Sequence, residues 1–311
     1  MNVLVTGVSG YIGGRLLSRL ADAPDIQHVF GVDLKPPQHR PDKLKFYRRD
    51  VSQPFADCLS GERIDSAVHL AFVLKPTRNK AAAQRIDVTG SSRFLEACDQ
   101  AGVKHIICLS SHTVYGAHPD NSFPLTEEAP LRPMRGFQYS WDKAQAEAAF
   151  KGFAGSHPEV SLAVLRCCPV IGPNAAGSIA ASMFPRVLVR LTGHDPLFQF
   201  VQEDDLVDLL MDCIVRRHSG VFNLAADGEV RYSHIAALAG RRMVALPEWL
   251  LRPAIAFSWA LRLQNESPPS GLDFIKYPPL VSTDKLKREV GFRPRYSSEE
   301  ALRTFFGRGD E

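Results

Sequence analysis

The stretch LVTGVSGYIGG, residues 4–14, sets glycines at positions 7, 10 and 13 between a β-branched run and a leucine-rich helical pattern. Glycines at that spacing predict a backbone that turns tightly from a strand into a helix and leaves its amides uncovered. A turn of this kind presents N–H groups and the positive end of a helix to an anion, and a phosphate is the commonest anion of that shape. The chain that carries it is thereby constrained to begin with a strand, a turn and a helix packed back on the strand.

The rhythm continues. NVLVTG (2–7), HVFGVD (28–33), KFYRRD (45–50), SAVHLA (66–71), HIICLSS (105–111) and LAVLRC (162–167) read as strands. Helical patterns separate them: IGGRLLSRLADA, the stretch 78–101, and QYSWDKAQAEAAFKGFA at 138–154. Several strands are apolar on both faces, as buried parallel strands are. The expected fold is α/β, a doubly wound parallel Rossmann sheet. After residue 174 the alternation weakens. GSIAASMFPRVLVRLTG (177–193) reads as a helix interrupted by proline, while PLFQFVQEDDLVDLLMDCIVRR reads as a strand entering a capped helix, with GVFNLA a further strand. The expected division is a cofactor domain over 1–174 with 201–226 returning to it, and a smaller, mostly helical lobe from 175–200 and 227–311.

Composition narrows the partners. Thirty-seven basic residues against 34 acidic give a net charge of +3, so no polycation points to nucleic acid. A small-molecule substrate is expected. The six cysteines contain no CxxC and the ten histidines no metal spacing, so no metal site is expected and a reducing cytoplasm is. The apolar stretch 248–263 carries Arg252, Pro253 and Arg262 and is too short to span a bilayer.

The glycine spacing is GxxGxxG, one residue wider at the front than the dinucleotide fingerprint GxGxxG, so the turn alone also fits a plain strand–helix connection. Its context favours a dinucleotide. Asp33 lies 20 residues beyond Gly13 at the tip of the second strand, where a carboxylate accepts from ribose hydroxyls and repels a 2′-phosphate. That argues for NAD over NADP, with Lys35 close by as the counter-argument. Asp50 and Val51, ending the third strand, are placed to frame the adenine or simply to turn the chain.

Tyr139 and Lys143 form the one Y-x3-K pair in the chain, and i, i+4 spacing puts them on one helical face. A phenol with a pKa near 10 needs roughly 4 kcal/mol to reach neutrality, about what one ammonium at ~4 Å supplies at an effective dielectric near 20. Lys143 is therefore expected to lower Tyr139 into the range of a general acid/base. Ser110 and Ser111 end the fifth strand at the carboxyl edge, where open sheets bind ligands; a hydroxyl there holds a carbonyl oxygen or merely ends the strand. His112 follows directly, and strand alternation would turn it to the opposite face.

Taken together, TGxxGYIG, Asp33, Asp50-Val51, SSHTVYG and YSWDK resemble the extended short-chain dehydrogenase/reductases, the NAD-dependent epimerase/dehydratase group, and STDKLKREVGFRPRYSSEEAL is similar to that family's closing segment. The resemblance implies Ser111, Tyr139 and Lys143 as catalytic residues. It implies Gly7, Gly10, Tyr11, Ile12, Gly13, Asp33, Asp50, Val51, Leu70, Ala71, Phe72, Lys143 and Cys168 around NAD, and a homodimer through the helices at 78–101 and 138–154. Three departures concern the substrate. Asp87 replaces the usual Asn, Pro169 replaces an Asn that touches nucleotide-sugars, and Phe198 stands where an arginine grips a diphosphate. Arg186, Arg190 and Arg231 are the available substitutes for that grip, or are solvated surface charges. Residues 255–263 read as an apolar lid or as buried lobe packing. The implied activity is hydride transfer between NAD and a secondary alcohol or ketone. The alternatives are a nucleotide-sugar epimerase or dehydratase with altered diphosphate contacts, and a non-catalytic NAD-binding regulatory or assembly protein.

Overall fold

A computed structural model of the chain describes residues 1–175, 183–264 and 268–307. Strands β1 (Asn2–Thr6), β2 (His28–Asp33), β3 (Leu44–Arg48), β4 (Ser66–His69), β5 (His105–Ser111) and β6 (Ser161–Cys167) fall close to the sequence-predicted runs. With Gly220–Leu224, the eleventh strand in chain order (β11), they form a seven-stranded sheet in the order β11-β6-β5-β4-β1-β2-β3. Every neighbouring pair is parallel. The chain leaves β1 first toward β2 and β3 and later resumes on its other side at β4, so a crevice opens at the carboxyl ends of β1 and β4.

Strand alternation sorts the core. Val3 and Val5 point into a cluster with Leu16, Leu17 and Leu20 of α1 (Tyr11–Asp22), while Leu4 between them joins Phe30, Phe94 and Phe150 on the other face. The first face is completed by Leu206, Leu209 and Leu210 of the capped helix Glu203–Arg216, and the second by α3 (Gly90–Gln100) and α4 (Gln138–Ser156). Each fully buried aliphatic or aromatic side chain contributes about 1.5–3 kcal/mol, so both helical layers are held mainly by apolar burial. One ionic link is also buried. Arg166 of β6 meets Glu147 of α4 at 2.6 Å, and Glu147 also accepts from Ser110 Oγ at 2.8 Å.

The expected helix at 78–101 is interrupted. The short α2 (Lys80–Gln84) and α3 are joined by a π-turn, Arg85–Thr89, whose extra residue turns Asp87 into the protein.

The second half departs further from its sequence pattern. Val187–Leu191, expected within a proline-broken helix, is a strand (β8), paired in parallel with β13 (Arg242–Leu246). Two valines and two leucines flank no helix cap there, and pairing with a partner more than 50 positions away decides the outcome. Residues 177–182 of that expectation lie outside the described residues. Short pairings complete this part: β7 (Val170–Ile171) with β10 (Val201–Gln202), and β9 (Leu197–Phe198) with β12 (Val230–Arg231). The helix Glu203–Arg216, α5 here, follows β10 directly and is capped by the Gln202 side chain. Helices α6 (Tyr232–Leu238), α7 (Glu248–Ala260), α8 (Gly271–Lys276) and α9 (Ser298–Phe306) surround the small strands. The start of α9 carries a capping box between Ser297 and Glu300. No described helix is long and apolar enough to cross a membrane.

Candidate active site

One cavity of about 910 Å³ runs from the glycine turn, over the carboxyl ends of β1, β4, β5 and β6, to β8, α7 and α8. At its first end the backbone is the wall. Gly7 has φ +72°, and a Cβ on it would lie 2.7 Å from Ala71 N; a Cβ on Gly13 would lie 2.0 Å from Gly7 O. The first is a conformational requirement and the second a close approach of helix to turn, so both positions need glycine. Gly14 N bonds Gly10 O at 2.8 Å, which starts α1 directly from the turn. Asp33 stands at the rim with one carboxylate oxygen accepting from Ser9 N at 3.0 Å and the other from Leu34 N at 2.7 Å. The carboxylate is thus held beside the turn rather than free to rotate.

The cradle fits a dinucleotide: two positions where a side chain would fill the space, a helix start, and a fixed carboxylate at ribose distance along β2. Asp50 bonds Ser52 N at 2.9 Å, and with Val51 it lines the same end. Leu70, Ala71 and Phe72 follow β4 along the floor. Tyr11 also lines the cavity, and its hydroxyl donates to Glu203, a buried carboxylate at the start of α5 that is bridged to Arg15 at 3.3 Å. Burial and the adjoining Glu203 carboxylate push the Tyr11 phenol far up. Glu203 was not foreseen, because nothing in a local pattern links it to a tyrosine 192 positions away.

Midway, β5 and α4 bring the polar residues together. The Ser111 hydroxyl accepts from Thr113 N at 3.2 Å and from Thr113 Oγ1 at 3.0 Å, and it lies beside the Tyr139 phenol on the cavity wall. Ser110, its neighbour, is turned to the other face and committed to Glu147, so the two serines separate as strand alternation requires. The Tyr139 ring is held edge-on against Phe72 (5.8 Å, 89°) and Phe137 (6.4 Å, 83°). Lys143 Nζ donates to Leu109 O at 2.6 Å and sits 3.7 Å above the Phe72 ring.

The expected lowering of Tyr139 by Lys143 is overturned. Burial raises the phenol above its ordinary value, outweighing the lowering by the neighbouring Ser111 hydroxyl, while Lys143 itself is pulled down to about 8 by desolvation. The reason is geometric: the ammonium is 5.8 Å from the Tyr139 ring centroid and is already engaged by Leu109 O and Phe72. Shared helical face does not amount to contact at the oxygen.

His112 also differs from expectation. The strand ends at Ser111, a 3₁₀ turn (His112–Tyr115) begins, and the imidazole lines the cavity with Nδ1 3.2 Å from Cys167 O. Burial lowers its pKa to about 4, so it is neutral at physiological pH. Asp87, directed inward by the π-turn, accepts from Val73 N at 2.7 Å and is raised to about 7, chiefly by burial.

Every cofactor and catalytic residue picked from the sequence lies on this one cavity, Cys168 included; Cys168 is buried, with Sγ 4.0 Å from Gln199 Oε1. The substitute arginines do not. Arg186 and Arg231 are exposed, Arg190 bonds His194 O at 3.1 Å, and none of the three lines the cavity. Phe198 is 8% exposed and stacks on Phe200 and Tyr232. Buried packing of 255–263 is also not what forms: Phe257 and Leu263 are 63% and 71% exposed, while Ile255 lines the cavity. Among the described residues no three His, Cys, Asp or Glu side chains gather as a metal site.

Residues 3–231 match the sequence model of the NAD dependent epimerase/dehydratase family. A UDP-glucose 4-epimerase of Lactobacillus helveticus is 29% identical, over 96% of this chain and 93% of its own length. A protein of Mycobacterium tuberculosis (strain H37Rv) described as uncharacterised is 27% identical over 99% of this chain and 84% of its own. Among solved structures, MoeE5 in complex with UDP-glucose and NAD superposes with a TM-score of 0.74 at 25% identity, covering 99% and 98% of the two chains. The UDP-glucose 4-epimerase of Thermotoga maritima reaches 0.77 at 21% identity, with the same coverage, and shows the shared fold.

Proposed function

From the premise that this chain belongs to the NAD-dependent epimerase/dehydratase family and is an NAD-dependent enzyme, we propose that it interconverts a secondary alcohol and its ketone, with Tyr139 exchanging the proton. NAD, when bound, supplies the chemistry of accepting or returning a hydride. Gly7, Gly10 and Gly13 receive its pyrophosphate, Asp33 its adenosine ribose, Asp50 and Val51 its adenine, and Leu70, Ala71 and Phe72 its path along the floor.

The observation that carries the reading is the placement of the Ser111 hydroxyl beside the Tyr139 phenol on the wall of the cavity that begins at the glycine turn. Two hydroxyls converging on one point hold a carbonyl or alcohol oxygen between them. The phenol, raised by burial, is protonated at neutral pH and is ready to donate to a carbonyl oxygen. For the reverse direction the proton must leave Tyr139. The Ser111 hydroxyl beside the phenol is the neighbour that favours the phenolate, since a hydroxyl that donates to the charged form lowers its pKa. Lys143 binds the nicotinamide ribose, and Cys168 borders the ring.

A nucleotide-sugar epimerase is the second reading, favoured by the 29% identical relative from Lactobacillus helveticus. Residues 175–200 and 227–311 serve as the substrate side in either reading. The family reading carries with it a homodimer through α3 and α4, which sedimentation would check, and a cytoplasmic setting.

The test is hydride transfer followed by NADH absorbance with panels of secondary alcohols, ketones and nucleotide-sugars. Tyr139→Phe should lower turnover by about 10²–10⁴-fold, with NAD affinity unchanged. Phenylalanine keeps the edge-on contacts with Phe72 and Phe137, so the loss reads the hydroxyl alone. Unchanged turnover in that variant would remove Tyr139 from the reaction.

A further inference from the structure

We infer that the substrate end of this cavity takes a hydrocarbon-bodied secondary alcohol or the matching ketone rather than a nucleoside diphosphate sugar. The inference rests on the alcohol–ketone chemistry proposed for Ser111 and Tyr139. The reaction balances as alcohol plus NAD⁺ giving ketone, NADH and one proton, which leaves through Tyr139.

Charge decides first. A diphosphate brings two or more negative charges into a cleft, and burying them unpaired costs several kcal/mol per ion. Among the described residues only two cations line the cavity, Arg49 and Lys143. Arg49 belongs to the Asp33 end, where its backbone N bonds Asp33 O at 3.1 Å and its guanidinium lies 3.6 Å from Asp57. Lys143 is spent on Leu109 O and Phe72 beside Tyr139. His112 is neutral. Of the undescribed segments, 176–182 (AGSIAAS) and 265–267 (NES) contain no lysine, arginine or histidine, and 308–311 (RGDE) contains one arginine, Arg308.

Two of the polar side chains at this end are already occupied. The Gln199 amide is bonded on both sides to Val281, donating to its carbonyl at 3.1 Å and accepting from its N–H at 2.8 Å. Ser258 Oγ donates to Ile255 O at 2.9 Å, within its own helix. Beside Tyr232 and Gln264 the wall is apolar: Val187 and Val189 from β8, Leu251 and Ile255 from α7, and Leu272 and Ile275 from α8, with Phe198 where a phosphate grip would sit. These walls offer a hydrocarbon body most of the transfer gain and a sugar or uracil few groups to bond.

The test is calorimetric titration of NADH-loaded protein, wild type and Tyr139→Phe, with 2-alkanones of increasing chain length and, separately, with UDP-glucose. The expected result is about three- to fourfold tighter binding per added methylene until the cavity is full, in both proteins, and no binding of millimolar UDP-glucose. Ile255→Asp should weaken the longer ketones at least tenfold, while unchanged NADH affinity certifies its folding. Affinity independent of chain length, or UDP-glucose binding more tightly than the ketones, would overturn the inference. Because binding is read without turnover, the two readings fail separately. Chain-length dependence without hydride transfer to or from any alcohol or ketone would remove the proposed reaction and leave the apolar site standing.

Discussion

At one end of the cavity the wall is backbone, made by Gly7, Gly10 and Gly13 within seven residues, with Asp33 pinned by two amides; at the other it is side chains from β8, α7 and α8, drawn from between residues 187 and 275. The first end has few contacts, each of which must be in place. The second spreads its contact over many small apolar surfaces, any of which can shrink a little. The contrast teaches that recognition of the cofactor is intolerant of single changes, whereas recognition of the substrate degrades gradually.

The sharpest way to break that contrast is Gly13→Ala. Its Cβ would fall 2.0 Å from Gly7 O and 2.9 Å from Val8 Cα, so backbone must move. Overpacking of this kind costs about 1–3 kcal/mol, and NAD affinity measured calorimetrically should fall roughly tenfold to a hundredfold, with a lower Tm. An alanine that bound NAD normally would show the turn to be looser than its geometry. Asp33→Asn comes next. It removes a charged acceptor from the rim, and about a tenfold loss of NAD affinity is expected, with little change in stability.

Asp87 lies between the two ends and tests electrostatics rather than shape. Its folded pKa of about 7 stands above its ordinary 3.8, so between those values the native state holds a proton that the unfolded chain has released. Stability is therefore lost as pH rises from about 4 to 7, and the penalty is complete above 7. Asp87→Asn keeps an acceptor for Val73 N and drops the charge. Denaturant unfolding should show it more stable than wild type by about 1–3 kcal/mol at pH 8, with the gain vanishing near pH 3. A gain of equal size at both pH values would point to packing instead.

The smallest effect belongs to the apolar end. Ile255→Val removes one methylene from the wall and should weaken a 2-alkanone by about three- to fourfold, leaving NADH titration unaltered. A hundredfold loss there would mean that this end, too, depends on single contacts.

The ease of reading the two ends from sequence follows the same division. The glycine turn, Asp33 and the Ser111, Tyr139, Lys143 set are each carried by short local spacings on strands and helices whose periodicity is strong, and all of them lie on one cavity. Local spacing misled in three places. Tyr139 and Lys143 share a helical face, yet the ammonium turns to Leu109 O, a partner from β5 that helix periodicity cannot supply. His112 obeyed a new 3₁₀ turn instead of strand alternation. Val187–Leu191 became a strand because Arg242–Leu246 was there to pair with it.

The sequence by itself determined the parallel sheet, the positions of its early strands and the chemistry available at the carboxyl edge, because those depend on residues within one turn or one strand of each other. Tertiary structure alone decided which hydroxyl Ser110 and Ser111 each offer, where the Lys143 charge goes, and that the far wall is hydrocarbon. Those outcomes depend on burial, which sets both pKa and partner, and burial is a property of segments brought together from across the chain.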